Sequence, residues 1–165
     1  MKYLLDASAL LPLVVRRGKQ LLLEATRADL FTTDLAIYEA CNSLWKFSTL
    51  LKSISIEDAI DTATTIKDLA TRGVIKTIKF TKLDFSHTFQ IAYKEGITFY
   101  DASYIATARN AEATLVTEDE KLKKTASKLI KTITYSDLEN KLTQTLTAKN
   151  ESVSENVRYH RYKFG

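Results

Sequence analysis

The sequence holds one cysteine, one proline, two histidines and four glycines among its 165 residues. Each scarcity closes off a class of chemistry. A single thiol, Cys41, forms no internal disulfide, and such poverty in cysteine suits a reducing cytoplasm. The glycines stand apart at positions 18, 73, 96 and 165. No glycine-rich phosphate loop exists, so nucleotide-hydrolase and dinucleotide-binding readings fall away. His87 and His160 sit in unrelated contexts, without the spacing of a histidine metal motif. No apolar run approaches the ~20 residues that a membrane span requires. The first stretch, MKYLLDASALLPLVV, has the apolar bias of a leader peptide, but Asp6 interrupts it and no small-residue cleavage site follows cleanly.

What remains is an ordinary globular composition, 45% hydrophobic and 27% charged. The length suits one domain at ~100–200 residues each and lets it bury about 70% of its unfolded surface. Net charge is +4 with a pI near 9.0. That is a mild lean toward anionic partners, nucleic acid included, without a basic stripe.

Short β-rich runs alternate with longer helical patterns. KYLLD (2–6) predicts a first strand, and residues 8–15 a short helix interrupted near Pro12. A helix follows over 19–29, then a weak strand over 30–32. Asp34 is placed to cap a helix running to Leu51. Ser55, with Asp58 three residues on, caps another that ends at Gly73. Residues 74–80 alternate and are β-branched, predicting a third strand. Helices over 84–95 and 100–111, a strand over 113–117, a short helix over 119–128 and a strand over 130–134 complete the series. Ser136 and Glu139 have the spacing of a capping box for a last helix. Residues 1–146 thus form one domain, and 147–165 a polar tail. Strands separated by helices predict an α/β fold: a three-layer sandwich with a central, mostly parallel sheet of four to five strands flanked by helices. In such sheets ligands gather beyond the carboxyl ends of the strands.

Acids collect at that edge. Asp6 ends the first strand, and Asp119 lies just past the fourth, in LVTEDEKL. Glu39 shares a polar helical stripe with Asn42 and Lys46, opposite the apolar stripe Ile37, Ala40, Cys41, Leu44 and Leu51. Asp101 enters with a small-residue helix in ITFYDASYIATARN (97–110). Singly, each acid has a structural reading: Asp6 and Asp119 as helix caps, Asp101 as a complement to a helix dipole, Glu39 as a solvated charge. Together they have a different consequence. Two carboxylates ~4 Å apart repel by ~4 kcal/mol at an effective dielectric of 20, so a cluster needs a cation, protonation or basic partners. Hard divalent ions prefer oxygen ligands, and a carboxylate cluster without nearby histidine or cysteine suggests metal-assisted phosphodiester chemistry.

LLDASALLPLV, YEACNSLWK, YDASYIATA and LVTEDEKL, in this order, resemble a PIN domain, in particular the VapC-type toxins of prokaryotic toxin–antitoxin pairs. The resemblance covers roughly residues 1–140. It implies a metal-dependent endoribonuclease in which Asp6, Glu39, Asp101 and Asp119 hold Mg²⁺ or Mn²⁺. Ser8 and Thr117 would orient ligands or water, and Asn42 would help fix Glu39. Glu118 and Glu120 flank Asp119 and compete with it for the fourth position. An RNA substrate, a small antitoxin protein and a second copy of the chain are the implied partners.

The mechanism implied is in-line attack by a cation-activated water on an RNA phosphodiester. Arg16, Arg17, Lys46 and Arg109 are candidate phosphate contacts, and Tyr100 and Tyr104 either stack on a base or pack in a core or a dimer surface. Trp45, Leu44, Phe47 and Leu51 suit the core, a homodimer contact or a groove for an antitoxin helix. The rival readings are a Mg²⁺-dependent phosphatase, a receiver-like phosphoacceptor and an inactive binding module. Against the first, Ser8 stands where a second aspartate belongs. Against the second, no acid pair ends the first strand.

Overall fold

The computed structural model describes residues 1–21 and 28–143. The helix expected over 19–29 falls largely outside them, as does the tail from 147. Five strands form one sheet: β1 (Lys2–Leu5), β2 (Asp29–Thr33), β3 (Ile75–Ile78), β4 (Thr114–Val116) and β5 (Thr132–Ile133). Their order is β3-β2-β1-β4-β5, and every pairing is parallel. Helices α1 (Ala7–Arg17), α2 (Asp34–Trp45), α3 (Ile56–Thr71), α4 (Phe85–Glu95), α5 (Phe99–Asn110), α6 (Glu120–Ala126) and α7 (135–143) cover the faces. The three-layer α/β sandwich is the one expected.

The chain winds from β1 through β2 to β3, then returns to place β4 and β5 on the other side of β1. This reversal opens a crevice at the carboxyl ends of β1 and β4, where such sheets take their ligands. Register makes the edge level. Leu5 pairs with both Thr32 and Val116, so Asp6, Thr33 and Thr117 leave their strands side by side. Beneath them Leu4, Leu5, Leu115 and Ile105 are fully buried. Helix α5 is buried from Ala102 through Ala108. Its alanines let it lie close against β1 and β4, which carries Asp101 to the crevice.

Local chemistry sets most boundaries. Asp6, Ser55, Asp84 and Thr98 each accept a backbone N–H at a helix start. Gly96, at φ +64°, ends α4 in the left-handed conformation that a β-carbon disfavours. Four expectations need correction. Helix α1 runs unbroken through Pro12, because one missing N–H costs one ladder bond and the ring faces outward into a cleft. Thr33, not Asp34, caps α2, its hydroxyl accepting from Ala36 at 3.0 Å. Asp34 instead accepts the amide of Phe80 at 2.8 Å. Helix α2 ends at Trp45, and residues Lys46–Leu50 widen into a π turn. In the last helix the capping pair is Thr134 and Asp137, each accepting the other's backbone N–H. Docking of Tyr135 under Glu118 starts that helix before Ser136.

Candidate active site

Helices α1, α2, α3 and α5 and the start of α6 enclose a cleft of about 960 Å³. Asp6, Glu39, Asp101 and Asp119 all line it, together with Ser8, Asn42, Lys46 and Tyr104. Four distant segments thus each contribute an acidic residue to the lining of one cleft.

Asp6 is the most constrained. It is 3% exposed. Its Oδ1 accepts the Ala9 amide at 2.9 Å, and its Oδ2 accepts the Thr117 hydroxyl at 2.5 Å. The Ser8 hydroxyl reaches both oxygens, at 2.7 and 2.9 Å. Ser8 in turn accepts the Glu118 amide at 2.8 Å, and Thr117 accepts the Asp119 amide at 3.0 Å. Two hydroxyls therefore clamp the end of β1 to the loop after β4. Burial pushes the Asp6 carboxyl above its ordinary range. The bonds from Thr117, Ser8 and Ala9 oppose that shift, and the charge of Asp119 adds to it.

Asp119 caps α6 through Oδ1, which accepts the amides of Lys121 and Leu122 at 2.8 and 3.0 Å. Its cleft-lining position separates it from its neighbours. Glu118 turns to the Tyr135 amide at 2.6 Å, and Glu120 pairs with Lys123 at 2.7 Å. Asp101 sits in the first turn of α5, its amide bonded to Thr98 at 3.1 Å. Its carboxylate has no hydrogen bond or ion pair among the described residues.

Glu39 is held otherwise than expected. No bond from Asn42 fixes it, although Asn42 lines the same cleft. The Tyr104 hydroxyl donates to Glu39 Oε2 at 2.5 Å. Burial, that bond and the charges of Glu39 and Asp6 hold the Tyr104 phenol far above its usual range, so it stays a donor. Tyr104 is buried rather than offered to a base. The signal was its spacing, since position i+3 from Asp101 puts it on the same helical face. Tyr100 is exposed and lines a separate cavity of about 110 Å³ with Phe80 and Phe99.

The cations divide. Arg16 and Lys46 line the cleft. Arg16 is 63% exposed, 3.4 Å from Glu139 and over the Tyr135 ring. Arg17 packs on α7, donating to Thr143 at 2.9 Å. Arg109 lies on α5 more than two turns beyond Asp101, about 12 Å along the axis, and bonds Leu129 and His87. The sequence set all four at one edge. Helix direction and rotation remove Arg17 and Arg109 from it.

None of the four cleft carboxylates pairs with a lysine or arginine among the described residues. The donor set suits a hard divalent ion, being all oxygen and short of positive charge. Among the described residues no three His, Cys, Asp or Glu side chains are gathered tightly enough to chelate an ion by themselves. Mg²⁺ does not require this, since it keeps several waters and takes one or two direct carboxylates.

Residues 3–128 match the PIN domain family model. The chain is 34% identical over 122 residues to the exonuclease VapC9 of Pyrobaculum aerophilum, covering 73% of this chain and 83% of that protein. It is 33% identical over 128 residues to the ribonuclease VapC3 of the same organism, covering 74% and 92%. A crystal structure from Pyrobaculum aerophilum superposes with a TM-score of 0.68 at 28% identity, covering 87% of this chain and 96% of that one.

Proposed function

As the chain belongs to the PIN domain family, we propose that its cleft hydrolyses phosphodiester bonds within RNA, in the manner of a VapC-type toxin, with Mg²⁺ or Mn²⁺ held among Asp6, Glu39, Asp101 and Asp119, one or two of them directly and the others through its waters. One observation carries the reading: four acidic residues line one open cleft, and none has a cationic side chain as partner among the described residues. A divalent ion bound there supplies positive charge for the scissile phosphate and lowers the pKa of a water.

The protein's own residues supply the rest. Ser8 and Thr117 fix the direction of both Asp6 oxygens. Lys46 and Arg16 at the rim meet flanking phosphates. Leu11, Pro12, Val15 and Phe47 form an apolar wall that accepts unpaired bases. Phosphatase and receiver-like readings give way to the family match. An inactive module would retain RNA without cutting it.

A small antitoxin protein and a second copy of the chain are the partners proposed. Trp45, Phe47, Leu50 and Leu51 are exposed beside the cleft and suit an apolar helix. Phe80, Phe85 and Phe89 are exposed around Phe99, with Phe85 and Phe89 in ring contact with it, and suit self-association. Among the described residues no helix is long and apolar enough to cross a membrane, and the cytoplasm is the compartment proposed.

The test is digestion of a covalently closed circular RNA with Mn²⁺. Linearisation by wild type, abolished by EDTA and by Asp6→Asn, supports an endonuclease. Cleavage only of linear RNA from its ends would replace it with an exonuclease. Undiminished cleavage in EDTA would refute the cation's role.

A further inference from the structure

Tyr104 brings together groups that are separate in sequence. Its hydroxyl, 65 positions from Glu39, donates to Oε2 of that residue at 2.5 Å. Its ring is 3% exposed and lines the cleft. The Thr33 hydroxyl, at the end of β2, caps α2 by accepting the Ala36 amide at 3.0 Å. The Tyr104 bond therefore ties α5 directly to Glu39 on α2. The same helix that presents Asp101 holds the side chain of Glu39. Glu39 Oε1 has no hydrogen bond among the described residues.

We infer that Tyr104 is a positioning residue for Glu39: it holds Oε2 so that Oε1 is the oxygen offered to the cation. The inference rests on the proposed metal-dependent activity. It differs from a packing role in one consequence. Tyr104→Phe keeps the ring and loses only the hydroxyl, so packing survives while Glu39 gains rotamer freedom. Groups that orient a metal ligand typically contribute 10–100-fold in metal affinity.

The experiment is calorimetric titration of Mn²⁺ into RNA-free protein, beside steady-state cleavage. Tyr104→Phe is expected to weaken Mn²⁺ binding about 10–100-fold. At limiting Mn²⁺ its kcat falls, at high Mn²⁺ it recovers, and KM for RNA stays constant. In a Glu39→Ala background, adding Tyr104→Phe should change Mn²⁺ affinity no further, because the two act as a unit. Wild-type Mn²⁺ affinity in Tyr104→Phe, or equal effects in both backgrounds, overturns the positioning role while leaving the nuclease intact. Wild type that neither binds Mn²⁺ nor cuts RNA overturns both. Should Tyr104→Phe fail to fold, the hydroxyl proton of Tyr104 in wild type, followed by NMR, decides: a shift on adding Mg²⁺ supports the role and an unmoved signal ends it.

Discussion

The Thr117 hydroxyl lies 2.5 Å from Asp6 Oδ2, across 111 positions of chain. Thr117 is fully buried, and it spends its proton on Asp6 while accepting the Asp119 amide. Thr117→Val keeps the shape and removes both bonds. With buried polar groups left unpaired at ~1–3 kcal/mol each, the variant should lose about 2–4 kcal/mol in urea unfolding. A loss under 0.5 kcal/mol would show that the clamp is not a structural bond.

Asp6 gives a pH dependence with a definite sign. Its folded pKa lies above the ordinary carboxyl value of 3.8, so protonation favours the folded state. That contribution is fully present below pH 3.8 and disappears as pH rises through the folded pKa. Metal-free Asp6→Asn, which has no charge to bury, should therefore gain stability relative to wild type as pH rises toward neutrality, while losing cleavage. Denaturant unfolding between pH 4 and 8 tests this; an Asp6→Asn stability that falls relative to wild type with rising pH contradicts it.

Asp101 has no partner among the described residues to lose, so Asp101→Asn should leave metal-free stability within about 0.5 kcal/mol of wild type. Mn²⁺ at 100 times its dissociation constant stabilises a protein by ~2.7 kcal/mol. The accompanying rise in melting temperature should be present in wild type and absent in Asp101→Asn. Equal upshifts in both would remove Asp101 from the ligand set.

Lys46 and Arg109 separate the cleft from its surroundings. Lys46→Ala should reduce the salt dependence of RNA binding by ~0.7 in log–log slope, the loss of one single-strand phosphate contact. Arg109→Ala, at the far end of α5, should leave the slope unchanged. Binding isotherms across a salt series decide between them, and an effect from Arg109 alone would relocate the RNA path.

Phase and capping made much of the fold legible. Asp84 and Ser55 begin helices because each side chain can reach an amide two or three residues on. Gly96 ends one because it tolerates positive φ. Asp6 and Asp119 were visible as strand-end acids through the alternation of strand and helix. The frame of α7 was not. Ser136 with Glu139 and Thr134 with Asp137 are both locally sound capping pairs, and contacts of Tyr135 with the loop after β4 choose between them. The π turn at Lys46–Leu50 likewise has no local signal.

The sequence by itself determined most of the strands and helices among the described residues, and that acids stand at the carboxyl ends of β1 and β4, because capping, periodicity and strand alternation act over a few residues. Only the tertiary structure decided that Tyr104 rather than Asn42 holds Glu39, that Glu118 and Glu120 turn from the cleft, and that Arg17 and Arg109 lie away from it. Those outcomes depend on how each helix is rotated against the sheet, and rotation is fixed by packing between residues far apart in the chain.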